Sequence, residues 1–552
     1  MSKNIEIPQG KRKPLYRFFE ILPGALSYSL VALLFILSWI SPILGSIYLL
    51  LMVVATLVKA VAVAIRTVQG YKIVEKAERV DWARRCIDLT CAHETYELLR
   101  NQQIDAYDFN QHVYNLKTIA AAPAHTYPNP THIYHAVIMV AYNEPIETMI
   151  PAIEAVADTT FPNERIIFMF GYEQRGGKDM AETAKKLKKR FKDTFYDFVP
   201  VEHPDGIKGE VKGKGPNLTC AGHVLADYVA KKKIRPDHVI VTSLDCDNRM
   251  SEQYLDYVTY EFAVRTARQN LGYQPVSLFT NNIWDAPAPM RVIAVSNSFF
   301  NIIATMRPHA LRNFASHSQP LKALEGMNFW SKRTIVEDGH QYWRSLFYFD
   351  GNYDTCGIRV PIYQDAVIDE TIGKTLKAQF IQLRRWDYGA SDVAYVGTRL
   401  FSKKRKMPFW PLFTKFVRLL DGHVMLAVMA PVVAFGGWVP MLLNMGTRGA
   451  TAYNLPNVVG IIQTVAMVGL IVTIIFSLKM LPTRPKHYRK SKSLLMVVQW
   501  ILMPIIAIAY QSAAAFYAQT RLMLGLYMEK FDVTKKGVQR VGRRKKREKK
   551  KN

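Results

Sequence analysis

Residues 238–247 have the sequence HVIVTSLDCD, in which a run rich in β-branched and apolar residues leads directly to Asp245 and Asp247. Such a run is typical of a buried strand. Because alternate residues point the same way as the chain leaves a strand, the two carboxylates are expected to converge. Their hard oxygen atoms suit Mg²⁺ or Mn²⁺. An Asp-x-Asp pair by itself more often serves as a turn or a cap, so neighbouring segments have to support a metal site.

Two upstream segments end in the same manner. Residues 136–140 (AVIMV) predict a buried strand followed by Asn143 and Glu144, and residues 165–170 (RIIFMF) predict a second strand followed by Glu173. Helical patterns separate the strands, which indicates an α/β domain with a mainly parallel, Rossmann-like sheet. Ligands of such sheets bind beyond the carboxyl ends of the strands. We therefore expect a binding site where these polar residues follow the strands.

Two short charged motifs could serve a reaction at that edge. Glu337 and Asp338 stand before an aromatic-rich helix, and a carboxylate beside an acceptor hydroxyl can remove its proton. The alternative is a pair of helix N-terminal acids favoured by the helix dipole. Lys214 lies in a basic loop, KGKGPN at residues 212–217, which could contact phosphates through backbone N–H groups and the lysine. Most loops of that composition are simply exposed turns.

Residues 382–386 (QLRRW) are expected on a helix and contain two arginines beside Trp386. An arginine can hold a diphosphate through two parallel hydrogen bonds. The tryptophan offers a flat face to a sugar ring. The same pattern also fits an amphipathic helix that lies against a membrane, and the two interpretations are compatible.

Long apolar segments exceed what a soluble core requires. Residues 22–65 contain no charge except Lys59, and residues 424–445 and 458–478 contain none. About 20 apolar residues cross a hydrocarbon core, so the first segment, broken at Ser41, predicts two spans and the others one each. Basic residues before the first span and after the last mark the cytoplasmic side. We expect a multi-pass protein of the cell membrane, with a cytoplasmic α/β domain inserted between transmembrane hairpins.

Residues 494–524 are apolar except for Arg521, but both flanks are basic and therefore expected inside. About thirty residues are too few to cross twice. A re-entrant or interfacial helix pair broken near Pro504 is preferred, and a fifth span with the tail outside is the alternative. Residues 407–413 (MPFWPLF) follow a basic run and predict an interfacial helix, with the plain start of a longer span as the alternative.

The formal net charge of +27 could indicate a nucleic-acid partner. The basic residues instead accompany the spans and form no recognition module, so a lipid bilayer is the expected partner and nucleic acid is not. The expected organisation is a basic cytoplasmic N-terminus (1–21), a transmembrane hairpin (22–66), a helical insert (67–130), the α/β domain with interfacial helices (131–402), an interfacial helix plus two spans (403–481), a basic loop with the re-entrant, interfacial or transmembrane segment (482–525), and a basic disordered tail (526–552).

The order of these motifs resembles the membrane-integrated family 2 glycosyltransferases, the branch with cellulose, chitin and hyaluronan synthases and ceramide glucosyltransferase. The matching motifs are Tyr-Asn-Glu-Pro, an acid after the second strand, Asp-x-Asp, Glu-Asp and Gln-x-x-Arg-Trp, all between residues 136 and 388. The resemblance implies a GT-A fold and an inverting, single-displacement reaction. It also implies a UDP- or GDP-sugar donor and a divalent metal, Mg²⁺ or Mn²⁺.

The resemblance further implies a role for each matching residue. Asn143, Glu144 and Glu173 (where Asp is more usual) would hold the nucleotide, Lys214 would lie near the donor, Asp245 and Asp247 would engage the metal and diphosphate, Asp338 would be the general base, and Glu337, Gln382, Arg384, Arg385 and Trp386 would lie between diphosphate and acceptor. Two positions depart from the pattern. Leu383 stands where Gln or Arg is usual, so one polar contact is lost or moves to Arg384, and Val336 replaces a common Thr.

The acceptor stays open between a glycan and a lipid. Polysaccharide synthesis is preferred, although four spans and a re-entrant pair would form a smaller channel than the best-known synthases need, and single transfer to a glycolipid is the alternative. A non-catalytic membrane subunit of a polysaccharide export system is an alternative of a different class. The presence of Asp245, Asp247, Asp338 and Trp386 together argues against it.

Overall fold

The computed structural model describes residues 4–445 and 450–529. Most of the tail that was predicted to be disordered, from residue 530 onward, lies outside these residues, as do residues 446–449 between two of the predicted spans. The chain opens with helices only: α1 (Pro14–Ile40), α2 (Pro42–Glu78), α3 (Trp82–Thr90), α4 (Ala92–Leu99) and α5 (Phe109–Ala120). The segment predicted to be a helical insert is thus the end of α2 followed by α3 to α5.

An eight-stranded sheet follows. Its strands are β1 (Tyr134–Ala141), β2 (Ile166–Glu173), β3 (Asp197–His203), β4 (Val239–Leu244), β5 (Arg249–Met250), β6 (Leu271–Leu278), β7 (Ser318–Pro320) and β8 (Asp354–Tyr363). The spatial order is β3-β2-β1-β4-β7-β6-β8-β5. Strands β1 to β4 are parallel, β6 is parallel to β8, and β7 is antiparallel to both of its neighbours. The mainly parallel sheet that was predicted from the sequence is confirmed.

Helices cover both faces of the parallel half of the sheet. The helices of the domain are α6 (Ile146–Ala157), α7 (Gly177–Phe191), α8 (Lys214–Lys231), α9 (Tyr254–Val264), α10 (Ala288–Thr305), α11 (Leu321–Gly326), α12 (Glu337–Tyr348), α13 (Ile372–Asp387) and α14 (Asp392–Leu400). Val137 and Met139 of β1 pack in one buried cluster with residues of α6, α7 and α9, whereas Ala136 and Ile138 pack in another with α8 and α11. Because a parallel strand is buried on both faces, its sequence is a continuous apolar run.

The apolar segments form long helices around this domain. After α14 come α15 (Phe409–Phe435), α16 (Val439–Leu443), α17 (Ala450–Lys479), α18 (Ser491–Val498), α19 (Met503–Ile506) and α20 (Ala513–Leu524). Four helical segments of the described residues are long and apolar enough to cross a membrane: Pro14–Ile40, Pro42–Glu78, Phe409–Leu443 and Ser491–Leu524. The fold class is therefore an α/β domain between apolar, membrane-length helices, as predicted.

The first two of these helices form a tight hairpin. The only residue between α1 and α2 is Ser41, which is extended, so the break falls where the sequence predicted it. The helices touch where a Cβ on Gly45 would lie 2.2 Å from the hydroxyl of Ser38. Farther along, Lys59 of α2 lies 3.7 Å from Asp421 of α15, which gives the lone charge of the first apolar segment a partner.

Two local expectations about the membrane segments differ from the structure. No helix break occurs near Pro504, because this proline lies in the first turn of α19 and a π-helical stretch, Ala507–Ser512, follows without interruption. Proline is tolerated in a first turn, where its missing N–H is not needed. Likewise, the predicted interfacial segment at residues 407–413 leads straight into α15, which begins at Phe409, so the alternative, a plain start of a longer helix, describes it.

Candidate active site

A cavity of about 1290 Å³ opens at the carboxyl ends of β1, β2 and β4 and continues between the domain and the long helices. It reaches Leu426 of α15 and Gln511 of the π-helical stretch. Of the predicted site residues, all except Arg384 line this cavity: Asn143, Glu144, Glu173, Lys214, Asp245, Asp247, Glu337, Asp338, Gln382, Arg385 and Trp386. The structure therefore brings together motifs that the sequence spreads over more than half of the domain.

Lys214 is the centre of the charged part of the cavity. Its ammonium lies 2.7 Å from Oδ1 of Asp245, 2.8 Å from Oδ2 of Asp338 and 4.0 Å from Oε1 of Glu337. Burial lowers the pKa of Lys214, but the three carboxylates outweigh it and the net pKa is raised. The lysine therefore stays charged and holds the Asp-x-Asp motif and the Glu-Asp motif at one point.

The glycine beside Lys214 explains how the two motifs approach each other. Lys214 is the first residue of α8, so the basic segment is a buried helix start and not an exposed turn, which was the alternative to a phosphate-binding loop. A Cβ on Gly215 would lie 2.3 Å from the backbone oxygen of Ser331 and 3.1 Å from Cβ of Glu337. Only glycine permits so close a contact between α8 and the start of α12.

The Glu-Asp pair occupies the first turn of α12. The side chain of Glu337 is 2 % exposed, and its Oε2 has no hydrogen-bond partner among the described residues. Burial, and then the charge of Asp338, raise the pKa of Glu337 above its ordinary value of 4.5. Asp338 is more accessible, at 19 % exposed, and its Oδ1 lies 3.8 Å from Nδ1 of the buried His317. Asp338 is thus the member of the pair that a substrate can reach.

Asp245 and Asp247 follow β4, as predicted. Asp245 is 31 % exposed to the cavity, whereas Asp247 is buried, with its Oδ2 accepting a hydrogen bond of 3.0 Å from the backbone N–H of Asp365. Among the described residues, no group of three or more His, Cys, Asp or Glu side chains could enclose a metal ion. Two carboxylates on a cavity wall fit a different arrangement, in which Mg²⁺ or Mn²⁺ takes its remaining ligands from water and substrate phosphate.

The two acids that follow β1 and β2 have local partners. Oε2 of Glu144 accepts hydrogen bonds from the backbone N–H groups of Tyr142, at 2.7 Å, and Asn143, at 3.1 Å, and so fixes the loop after β1. Glu173 forms a salt bridge with Arg175, whose guanidinium lies over the ring of Tyr142, 4.3 Å from its centroid. Arg175 also lines the cavity, and the sequence interpretation missed it although it stands two residues after the predicted acid.

Helix α13 presents one side to the cavity. Gln382, Arg385 and Trp386 share that side, as residues three and four apart on a helix do. Arg384 faces away and donates a hydrogen bond of 3.4 Å to the hydroxyl of Tyr517 on α20. Of the two predicted alternatives, a polar contact that is lost or one that moves to Arg384, this geometry favours the lost contact, because the helical turn directs Arg384 to the neighbouring long helix.

The cavity also contains an acid and a cation that the motifs did not indicate. Asp387, the last residue of α13, is buried against the cavity wall, and its Oδ2 has no hydrogen-bond partner among the described residues. Burial raises the pKa of Asp387 to about 8. Arg312 also lines the cavity, and its guanidinium lies over the ring of Trp343, 5.9 Å from its centroid. Neither belongs to a recognisable sequence motif, since only the tertiary fold places them here.

Comparisons with known proteins give a loose structural likeness. No protein-family model and no curated protein matches the chain. Among solved structures, a mannosyltransferase from Pyrobaculum calidifontis, PcManGT, in complex with GDP-Man and Mn²⁺, is 13 % identical over 81 % of this chain and 100 % of that one, with a TM-score of 0.40. The structure of TarS residues 1–349 from S. aureus is 10 % identical over 72 % of this chain and 93 % of that one, with a TM-score of 0.33. The function has to be argued from the site itself.

Proposed function

We propose that this protein is an inverting, metal-dependent glycosyltransferase of the membrane-integrated family 2 type, with a GT-A fold. It moves a sugar from a UDP- or GDP-sugar donor to a glycan or lipid acceptor. One observation carries the proposal: the acids after three parallel strands, the lysine, the Glu-Asp pair and the arginine-tryptophan side of α13 line one cavity. A site for a nucleotide diphosphate and a hydroxyl acceptor needs those groups together.

On this proposal the donor lies across the carboxyl ends of β1, β2 and β4, where ligands of parallel sheets bind. Asn143 would lie at the nucleotide end of the site, on the loop after β1 that Glu144 holds in place. The salt-bridged pair Glu173 and Arg175, after β2, would lie at the same end. Asp245 and Asp247 would hold Mg²⁺ or Mn²⁺, which neutralises charge that develops on the leaving diphosphate. Arg385 faces the same space and would contact the diphosphate directly.

Asp338 is proposed as the general base. An acceptor hydroxyl attacks the anomeric carbon, its proton passes to Asp338, and the carbon–oxygen bond to the diphosphate breaks with its electron pair going to the phosphate oxygen. Attack from the side opposite the leaving group inverts the anomeric configuration. Lys214 contacts both Asp338 and Asp245, so it fixes the distance between the proton acceptor and the diphosphate side of the site. Gln382 and Trp386 would position the sugar between them.

The proposed location is the cell membrane, with the domain on the cytoplasmic side. The long helices that flank the domain, the basic residues at their ends and the reach of the cavity to α15 support it. A nucleotide sugar would enter from the cytosol, and an acceptor could arrive along the helices. The last of the four apolar segments, Ser491–Leu524, is proposed to cross or line the same membrane region, since it is long enough to do so.

The test is release of free nucleotide by the detergent-purified full chain with Mn²⁺ over a panel of UDP- and GDP-sugars. We expect one donor to be turned over, and Asp338→Asn to lower its turnover by at least about a hundredfold, the lower range for loss of a general base. EDTA should abolish turnover, and added Mn²⁺ should restore it. Asp227→Asn, an exposed acid on α8, is the matched control and should keep normal turnover.

Each part of the proposal can fail separately. Normal turnover by Asp338→Asn would remove the base assignment. Turnover that is insensitive to EDTA would remove the metal role of Asp245 and Asp247. Silence across the panel, from protein that melts cooperatively, would favour the non-catalytic membrane subunit.

A further inference from the structure

The short segment before α1 packs against the α/β domain. Residues 4–9 (NIEIPQ), which we name the N-terminal strap, lie outside any helix or strand. Ile5 and Ile7 are 6 % and 7 % exposed, and they belong to two different buried clusters. The first cluster contains residues of α8 and α11, and the second contains residues of α12 and α14. The strap therefore bridges the cluster around the helix of Lys214 and the cluster around the helix of the Glu-Asp pair.

Glu6, between these two isoleucines, contacts the domain through both of its carboxylate oxygens. Oε2 accepts a hydrogen bond of 2.9 Å from the hydroxyl of Ser331, and Oε1 accepts one of 2.6 Å from the guanidinium of Arg344. Arg344 belongs to α12, and its side chain is 1 % exposed. Burial lowers the pKa of Arg344, and the charge of Glu6 opposes this effect. Because a buried cation without a partner is costly, the strap supplies a counter-charge that α12 needs.

The first partner of Glu6, Ser331, lies where the two helices of the charged centre meet. A Cβ on Gly215 would come within 2.3 Å of the backbone oxygen of Ser331, so this residue packs directly against the first turn of α8. The side-chain amide of Gln9 donates a hydrogen bond of 2.6 Å to the backbone oxygen of Gly209, five residues before Lys214. The strap therefore contacts both the segment that leads to Lys214 and the segment that leads to α12.

The second partner of Glu6, Arg344, contributes to the orientation of α12. Arg344 follows Glu337 by seven residues, about two helical turns, so the two side chains leave the same side of the helix. Its guanidinium also donates a hydrogen bond of 2.9 Å to the backbone oxygen of Met327, which precedes the helix. These contacts oppose rotation of α12 about its axis. Such a rotation would move Asp338 away from Lys214.

We propose that the N-terminal strap is a positioning element of the active site, and that Glu6 is the residue through which it acts. Glu6 holds Ser331 and Arg344, and these in turn fix how closely Asp338 approaches Lys214. The inference rests on the proposed function, in which Asp338 accepts the proton of the acceptor hydroxyl. Among the described residues, none of the hydrogen bonds of the strap reaches the loops after β1 and β2, where the donor would bind. The strap should therefore act on kcat and leave the binding of the donor unchanged.

The activity test compares Glu6→Ala with Glu154→Ala in nucleotide release by the full chain in detergent. Glu154 of α6 forms a salt bridge of the same length, 2.6 Å, with Arg190 of α7, so its variant controls for the loss of an ion pair. We expect Glu6→Ala to lower kcat about tenfold and to change the KM of the donor by less than about threefold, because displacement of a catalytic group by about 1 Å can slow a reaction by about a hundredfold. Glu154→Ala should keep both values.

If Glu6→Ala does not fold, Gln9→Ala takes its place, since Gln9 is exposed. Its expected fall in kcat is about threefold, the effect of one hydrogen bond. A normal kcat in the strap variant would overturn the proposal. So would a raised KM with kcat unchanged, or an equal loss of kcat in Glu154→Ala.

Hydrogen–deuterium exchange tests whether the strap holds the two segments, independently of any donor. In Glu6→Ala, the backbone amides of residues 208–216 and 331–341 should exchange at least about threefold faster, whereas those of α9 should exchange as in the unaltered protein. Unchanged exchange of residues 331–341 would overturn the proposal. Faster exchange with a normal kcat would overturn the positioning role and leave the strap as a structural contact. Absence of nucleotide release by the unaltered protein from any donor would instead count against the proposed function, and the exchange rates would still show whether the strap holds both segments.

Discussion

Two groups of cations in the protein have opposite surroundings. In the cavity, the single ammonium of Lys214 is enclosed by Asp245, Asp338 and Glu337. In the second group, Arg307 is exposed to the charges of Arg66 and Arg418, its Nε is buried without a hydrogen-bond partner, and none of the three forms a salt bridge with a carboxylate among the described residues. The charges of the first group compensate one another, whereas those of the second have one sign and repel one another.

This difference has a direct consequence for stability. Removing one partner from a buried, paired cluster leaves charges uncompensated and costs about 3–5 kcal/mol. Removing one member of a group that repels itself relieves repulsion. The replacement of a cation by a neutral side chain should therefore lower the free energy of unfolding in the first group and leave it unchanged or raise it in the second.

The largest expected effect is on Lys214→Met. We expect this variant to lower the free energy of unfolding by about 3–5 kcal/mol, because three acids lose their shared cation. Arg307→Gln should melt at the same temperature as the unaltered protein or higher, because the substitution relieves repulsion from Arg66 and Arg418. Thermal melting of the purified chain, with Lys188→Met as the exposed control, measures both. If the melting temperatures of the Lys214 and Arg307 variants fell by similar amounts, the two groups of cations would not differ in their effect on stability.

An effect of intermediate size is expected on the pH dependence of stability, and it comes from a buried acid of the cavity. Burial raises the pKa of Asp387 to about 8, from an ordinary value of 3.8. Between these two values the folded protein binds a proton that the unfolded chain releases, so stability is greatest below pH 4 as far as this group is concerned. It falls as the pH rises towards 8 and levels off above. Asp387→Asn should lose this dependence, because its side chain does not titrate.

Melting temperatures measured from pH 5 to pH 8 test this expectation. The unaltered protein should lose several degrees more than Asp387→Asn over that interval, and Asp227→Asn should follow the unaltered protein. Parallel curves for Asp387→Asn and the unaltered protein would show that another cation compensates Asp387 in solution.

Only those parts of the molecule that have a local pattern could be predicted from the sequence. The β1 and β4 strands were predicted closely, because buried parallel strands are continuous apolar runs that end in polar residues. The candidate acids Glu144 and Asp245 could be selected because they follow those strands. The antiparallel strand β7, only Ser318–Pro320, is determined by pairing with β4 and β6, which no local pattern reveals.

Other features depend on contacts between distant segments. Arg66, Arg307 and Arg418 come from α2, the segment after α10, and α15, so no spacing in the sequence joins them. Pro504 was read as a break, whereas its position in a first turn lets the helix continue into the π-helical stretch. In α13, the motif order could not show which of the two arginines, Arg384 or Arg385, faces the cavity. A motif gives residue types, and the helical rotation decides which of them face the cavity.

The smallest expected effect tests that rotation within α13. Arg384 contacts Tyr517 on α20, whereas Arg385 faces the cavity and the charge of Glu337. Arg385→Gln should lower kcat by about a hundredfold on the proposed function, since it removes a charge-assisted contact to the diphosphate that forms as the bond breaks. Arg384→Gln should change kcat by less than about threefold, because its loss affects only a contact between two helices. Nucleotide release by the two neighbouring variants measures this, and equal losses in both would mean that α13 turns when the donor binds.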